Sequence, residues 1–120
     1  MVYFKKFSVS GQANQEVLDS GIQSTETEKK RLLSVLIQVS GYADNDIVGY
    51  LETTKVFEIP DKLIDTDANT GSTNQQYSYN RINEIEVGVD MPVGSVFKVG
   101  IKCGATAKNI RGAYRYEIIT

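Results

Sequence analysis

The chain has 120 residues, of which 41% are hydrophobic and 23% charged, and its formal net charge is −2 at pH 7. This composition excludes a wholly disordered chain, and the weak acidic excess argues against a dedicated nucleic-acid binder, which would present a basic face. The sequence has no histidine and one cysteine, Cys103, so it lacks histidine-based catalysis, an intrachain disulfide and any zinc site built on histidine or several cysteines.

The length predicts a single domain over residues 1–120, with residues 1–30 as an arm or an edge-strand segment. Apolar residues recur with the period of two that is typical of β-strands. In the first part of the chain this pattern predicts a strand over 2–9, a short strand or loop over 15–20, and a strand over 31–40. Thr25 followed by Glu28 would permit a helical turn, but the β-branched residues after position 31 favour a strand there.

Residues 47–59 predict a long strand whose alternation slips near Val56 and Phe57, which indicates a β-bulge. Pro60 ends this strand, and one helical turn is expected over 61–64. A polar loop should follow from Asp65 to about Gln76.

The last part of the chain predicts strands over 77–90, 95–103 and 111–119. Cys103 falls in phase with Phe97, Val99 and Ile101, so we expect a buried structural thiol. Six or seven strands separated by turns are typical of an all-β antiparallel sandwich or barrel.

The loop DTDANTGSTNQQ places Asp65, Asp67 and Asn69 at the first, third and fifth positions of a calcium-loop pattern. Thr70 stands where that pattern requires glycine, and Gln76 stands where it requires a bidentate glutamate. The loop is therefore not an EF-hand, and these three residues are a weak calcium candidate only. Looser oxygen sites could also include Asp61, or Asp44 with Asp46. We predict no resident metal or cofactor.

Two pairs of tyrosines, Tyr77 with Tyr79 and Tyr114 with Tyr116, each show on one face of a predicted strand. They are interpreted as core tyrosines or as contacts in a subunit interface, where a hydroxyl at the rim is well suited. Glu84 and Glu86 also share a strand face, about 7 Å apart as i and i+2 residues are. That spacing could suit an inverting glycosidase, but solvent-facing glutamates are the ordinary case on such a strand. We therefore expect no enzyme activity.

The segment DMPVGSVFKVGIKCGATAKNIRGAYRYEIIT, residues 90–120, resembles the end of small β-sandwich virion proteins. These include single jelly-roll capsid subunits and capsid-decoration proteins, in which a D-x-P-x-G turn feeds an alternating strand and a final strand closes the sheet. The resemblance implies a jelly-roll-like sandwich of six to eight strands. It also implies a subunit that forms trimers, pentamers or other rings through sheet edges and termini.

We therefore expect a non-enzymatic structural subunit of a capsid or capsid-decoration type, whose partners are further copies and other virion or assembly proteins. Its expected location is a virion or a cytoplasmic assembly, because the start of the chain lacks the apolar core of a signal peptide and no apolar run could span a membrane. The alternative is a small carbohydrate- or cell-surface-binding module that uses the loops at 41–46, 65–76 and 104–110. The absence of tryptophan counts against that alternative.

Overall fold

The computed structural model describes residues 1–40, 44–63 and 83–119. Within these ranges the chain forms nine β-strands and one 3-10 turn at Asp61–Leu63. The strands are β1 (Val2–Ser10), β2 (Glu16–Leu18), β3 (Ile22–Gln23), β4 (Lys30–Val39), β5 (Asp46–Leu51), β6 (Thr54–Pro60), β7 (Asn83–Asp90), β8 (Val96–Lys102) and β9 (Asn109–Ile118).

The strands form two antiparallel sheets that pack as a sandwich. The four-stranded sheet has the order β1-β9-β4-β7; the five-stranded sheet has the order β2-β8-β5-β6, with β3 also paired to β8. The pairs are nested along the chain, because β5 pairs with β6, β2 and β3 pair with β8, and β1 pairs with β9, while β4 pairs with β7. A long antiparallel ribbon folded over in this way gives the two-sheet jelly roll. The all-β, jelly-roll-like prediction is confirmed.

The core lies between the inner faces of the two sheets, where the period-two pattern places the apolar residues. Phe97, Val99 and Ile101 of β8 have no exposed surface and face the buried residues of β4 and β9. Cys103 is buried and free, as its phase with these residues predicts.

The single long strand expected over 47–59 is wrong, because the segment folds into the hairpin of β5 and β6. Glu52 turns the chain with a φ of 57°, a left-handed conformation in which glycine or asparagine would be more usual. The bulge is confirmed, since Gly49 pairs with Phe57 and Tyr50 with Lys55, which leaves Val56 as the extra residue.

β4 also departs from the simple alternation. The pattern places Leu33 on the face of Val35, but Leu32 is the residue that is fully buried there, and Leu33 is only half-buried. The register of β4 shifts between Leu32 and Ser34 against both of its neighbours. Against β9 the extra residue is Leu33, and this bulge reverses the faces of β4 on its two sides; against β7 the extra residue lies in β7, at Val87–Gly88.

Three other expectations can be compared with the structure. Thr25 and Glu28 do bond to each other, with the Glu28 amide donating to Thr25 Oγ1 at 3.0 Å, but they close a turn before β4 rather than starting a helix. The helical turn after Pro60 is present as the 3-10 turn. Of the strand expected over 77–90, residues 83–90 are confirmed and the rest lie outside the described residues.

The described ranges contain no helix long and apolar enough to cross a membrane.

Candidate interaction surface

The strand β1 lies at one edge of the four-stranded sheet, where it pairs with β9 over its whole length. Its second half is core, since Phe7 and Val9 are 2% and 3% exposed. Its first half is not: Phe4 is 59% exposed, and Val2 and Tyr3 are each 39% exposed. Within the described residues, β1 pairs with no strand on its other side, so its outer edge presents backbone donors and acceptors beside apolar side chains. Exposed apolar edge strands favour pairing with another chain.

The exposed half of β1 is held in place by its neighbours on the inner face. Tyr3 stacks on Tyr116 of β9, with ring centroids 5.6 Å apart and planes inclined by 23°. The ammonium group of Lys30 lies 5.8 Å from the Tyr116 ring centre and donates to the Gln23 carbonyl at 2.7 Å. Lys5 donates to the Gly21 carbonyl at 2.9 Å. These contacts keep the strand extended and preorganised, which reduces the ordering cost of any pairing at its edge.

The opposite edge of the same sheet is β7, and it is acidic. Glu84, Glu86 and Asp90 are exposed on its outer face, and Ile85, Val87 and Val89 point toward the core. Within the described residues β7 pairs with β4 alone. As far as the structure describes the chain, the four-stranded sheet therefore has two unpaired edges of different chemistry.

Part of this acidic row is already engaged by arginines. Arg31 Nε donates to Asp90, and its Nη1 donates to Glu117 Oε1 at 2.9 Å. The hydrogen bond from Arg31 holds the pKa of Asp90 below its ordinary value. Glu84 accepts from the Ser34 hydroxyl and lies 3.6 Å from Arg115 Nη1. Glu86 lies between these two arginine-bound carboxylates and is exposed.

The outer face of the sheet is basic at the other end. Lys6, Ser8, Gln38 and Arg111 border a depression of about 410 Å³ on this side of β1 and β9. Gly112 forms part of its lining; a Cβ there would lie 1.8 Å from the Leu36 carbonyl oxygen, so the close approach of β4 and β9 requires glycine. The face is thus polarised from basic at β1 to acidic at β7.

The structure separates the two tyrosines of β9. Tyr114 is fully buried and belongs to the core, which is one of the two roles considered for it. Its hydroxyl donates to Asp19 Oδ2 at 2.9 Å and accepts from the Val99 amide at 3.0 Å, which links the two sheets. Burial raises the pKa of Tyr114 far above its usual range. Tyr116 is half-buried beneath Tyr3, so it contributes to the β1 surface through that ring.

The described parts of two loops considered for ligand binding, residues 44–46 and 104–110, meet at one end of the sandwich. Asn45, which is 1% exposed, accepts from the Gly104 amide at 2.9 Å and donates to the Thr106 carbonyl at 3.2 Å. The Asp61 amide donates to the Asn45 carbonyl at 2.8 Å. Asn45 thus ties together the segments around 45, 61 and 104 and is a structural residue that the sequence did not single out.

Five predicted site residues cannot be placed. Asp65, Asp67 and Asn69 of the calcium candidate, and Tyr77 and Tyr79 of the interface candidates, lie outside the described residues. In the ranges that are described, no group of three or more carboxylate or cysteine side chains could hold a metal ion.

Sequence reasoning did not single out Phe4, although a signal was present. In the stretch VYFKKF, apolar residues fall on both faces of the predicted strand, with Tyr3 and Phe7 on one face and Val2 and Phe4 on the other. A strand at the edge of a sandwich buries one face only, so apolar residues on its second face indicate a contact with something else.

Comparison with protein-family models, with curated proteins and with solved structures found no match to this chain.

Proposed function

We propose that this protein is a non-enzymatic structural subunit of a larger assembly, of the capsid or capsid-decoration type found in virus particles. The observation that carries the proposal is the preorganised, exposed first half of β1, with Phe4 59% exposed at an open sheet edge. Soluble monomers normally protect such edges by charge, bulges or a covering loop. An apolar edge strand that is kept extended by stacked tyrosines is suited to strand addition by a partner chain.

The fold is in keeping with this proposal. Jelly rolls of two four-stranded Greek keys are the sandwiches of many viral capsid domains, and they also occur in lectin domains. The fold alone does not choose between these uses, because function resides in particular surfaces. The β1 edge favours assembly, since a glycan platform would call for exposed polar groups and flat aromatic faces rather than an apolar backbone edge.

Light scattering on a size-exclusion column, over a range of protein concentrations, tests the proposal. We expect particles whose mass is a multiple of the 13.3 kDa chain, unchanged between calcium and EDTA. Phe4→Ser should shift the particles toward monomer. Val56→Ser is the matched control, because Val56 is a 41% exposed apolar residue on the edge strand of the other sheet.

A particle mass that Phe4→Ser leaves unchanged would remove the β1 edge as the carrier of assembly. A monomer at every concentration that binds in a glycan screen would favour the carbohydrate-binding alternative instead.

A further inference from the structure

We propose that copies of this chain join head to tail, with β1 of one copy pairing antiparallel beside β7 of the next. The inference rests on the proposed assembly function and names its partner, a second copy of the chain. It also names the two surfaces that meet, which are the opposite edges of the four-stranded sheet.

Strand direction permits this pairing without any rearrangement. Each neighbouring pair in the order β1-β9-β4-β7 is antiparallel, so β1 and β7 run in opposite directions. A second copy translated across the sheet would place its β1 antiparallel to β7 of the first. The outer faces of the two sheets would then be continuous, with Lys6 on the same side as Glu86.

Charge selects the heterotypic pairing over the homotypic ones. β1 contains Lys5 and Lys6 and no acidic residue, whereas β7 contains three carboxylates and no basic residue. Two β1 strands paired about their centres would place Lys6 opposite Lys6. Two β7 strands paired with their outer faces continuous would place Glu86 opposite Glu86, or Glu84 opposite Asp90. Like charges across a strand pair are destabilising. Lysines on an edge oppose pairing with a like edge, but they favour an acidic one.

Shape defines a register. If Lys6 lies opposite Glu86 and the antiparallel pairing continues without interruption, Phe4 lies opposite Gly88, the residue at which β7 bulges against β4. Gly88 has a φ of 62°, and no described atom lies within 4 Å of where its Cβ would be. An aromatic ring from the neighbouring strand can cover such a glycine on an edge. The 59% exposed ring of Phe4 would thereby gain a surface to cover.

The contact joins two different patches, so each copy keeps one free β1 and one free β7 until the series closes. Such heterologous contacts give rings when the rotation between copies closes and filaments when it does not. The geometry therefore predicts a cyclic or linear assembly in place of a twofold dimer.

Charge reversal in the full chain tests the proposal. Lys6→Glu and Glu86→Lys should each weaken association by about tenfold or more, because each places like charges across the new strand pair. The double variant, which exchanges the two charges, should recover most of the wild-type association. Lys98→Glu is the matched control and should assemble like the wild type, because Lys98 lies on the outer face of the other sheet, directly opposite the uncharged Tyr50. Far-ultraviolet circular dichroism of each variant checks that it is folded.

Disulfide trapping provides a readout that does not depend on the strength of assembly. Residues directly opposite in an antiparallel pair lie within disulfide reach. A mixture of Lys6→Cys and Glu86→Cys chains should therefore yield a cross-linked heterodimer with a 6–86 bond, identified by peptide mass spectrometry. Each variant alone should remain uncross-linked at those positions.

Assembly that persists in both charge variants, without the 6–86 bond, would overturn the β1–β7 pairing and leave the proposed function standing. A 6–6 bond in the Lys6→Cys chain alone would replace it with a homotypic β1 contact. A strict monomer at every concentration would overturn both the pairing and self-assembly.

Discussion

The two halves of β1 share one strand, one partner and one register, yet they occupy different environments. In the half near Ser10, Phe7 and Val9 are almost fully buried against the core, and the Phe7 ring lies 5.1 Å from that of Tyr114. In the other half, Phe4 and Val2 face outward and remain exposed. The comparison shows that the first half of β1 has more apolar surface than the fold of a single chain uses.

The two tyrosines of β9 that lie opposite β1 show the same contrast between a buried half and an exposed half. Tyr114 is held in the core by hydrogen bonds to Val99 of β8 and to Asp19 in the connection between β2 and β3, whereas Tyr116 lies under the exposed ring of Tyr3. One end of the sheet is stabilised by the sandwich itself. The other end is ordered, but its apolar side chains remain exposed, and a preformed docking strand requires both properties.

The largest expected effect sharpens this contrast in stability. Phe7→Ala should lower the free energy of unfolding by about 3–5 kcal/mol, as for other buried phenylalanines, because it removes a ring from the core. Phe4→Ala should change it by less than about 0.5 kcal/mol under dilute, monomeric conditions. Urea denaturation of both variants measures the difference. Equal losses of stability at the two positions would show that both halves of β1 pack against the core, and would contradict the difference between them.

A smaller effect is expected at the link between the sheets. Tyr114→Phe keeps the ring but leaves the Val99 amide without its acceptor and removes a donor from Asp19, so we expect a loss of about 1–3 kcal/mol. Tyr3→Phe, which keeps the stacked ring at an exposed site, is the control and should be near neutral. Urea denaturation again provides the comparison, and a neutral Tyr114→Phe would mean that water replaces the hydroxyl without cost.

The smallest effect concerns pH at the acidic edge. The hydrogen bond from Arg31 lowers the pKa of Asp90 in the folded state, so this interaction stabilises the protein above the unfolded pKa of Asp90. The contribution should be lost as the pH falls through the lower, folded pKa. Carboxyl NMR titration should show the pKa of Asp90 returning toward its ordinary value in Arg31→Ala. An unchanged pKa in that variant would show that Arg31 does not hold the carboxylate.

The sequence predicted the parts of the fold that depend on local alternation. The strands around Val35, Val87 and Ile101 follow from period two, because each packs one face against a single core. The Val56 bulge was visible as a slip in the same pattern. The hairpin at Glu52 was missed because its turn lacks the glycine or asparagine that usually marks one. The shift at Leu33 was hidden because Leu32 and Leu33 are equally apolar, so alternation cannot tell which of them points inward.

The candidate surface was only partly predictable. Edge strands and tyrosines were the right kinds of feature, but which strand forms an edge depends on strand order, which local sequence does not encode. The bond between Asp19 and Tyr114 joins residues 95 positions apart, and nothing near either residue indicates it. The placement of basic β1 and acidic β7 at opposite edges of one sheet likewise appears only once the strand order is known.

Hydrogen–deuterium exchange as a function of protein concentration tests the central claim most directly, because it reports on the two edge strands separately. We expect the outward-facing amides of β1 and β7, which bond to no strand among the described residues, to exchange rapidly in dilute protein and to become protected as particles form. The amides of β9, which lies between β1 and β4, should be protected at every concentration, and the edge strand β6 should not change. Particles that form while the outward-facing amides of β1 exchange as fast as in the monomer would contradict the account.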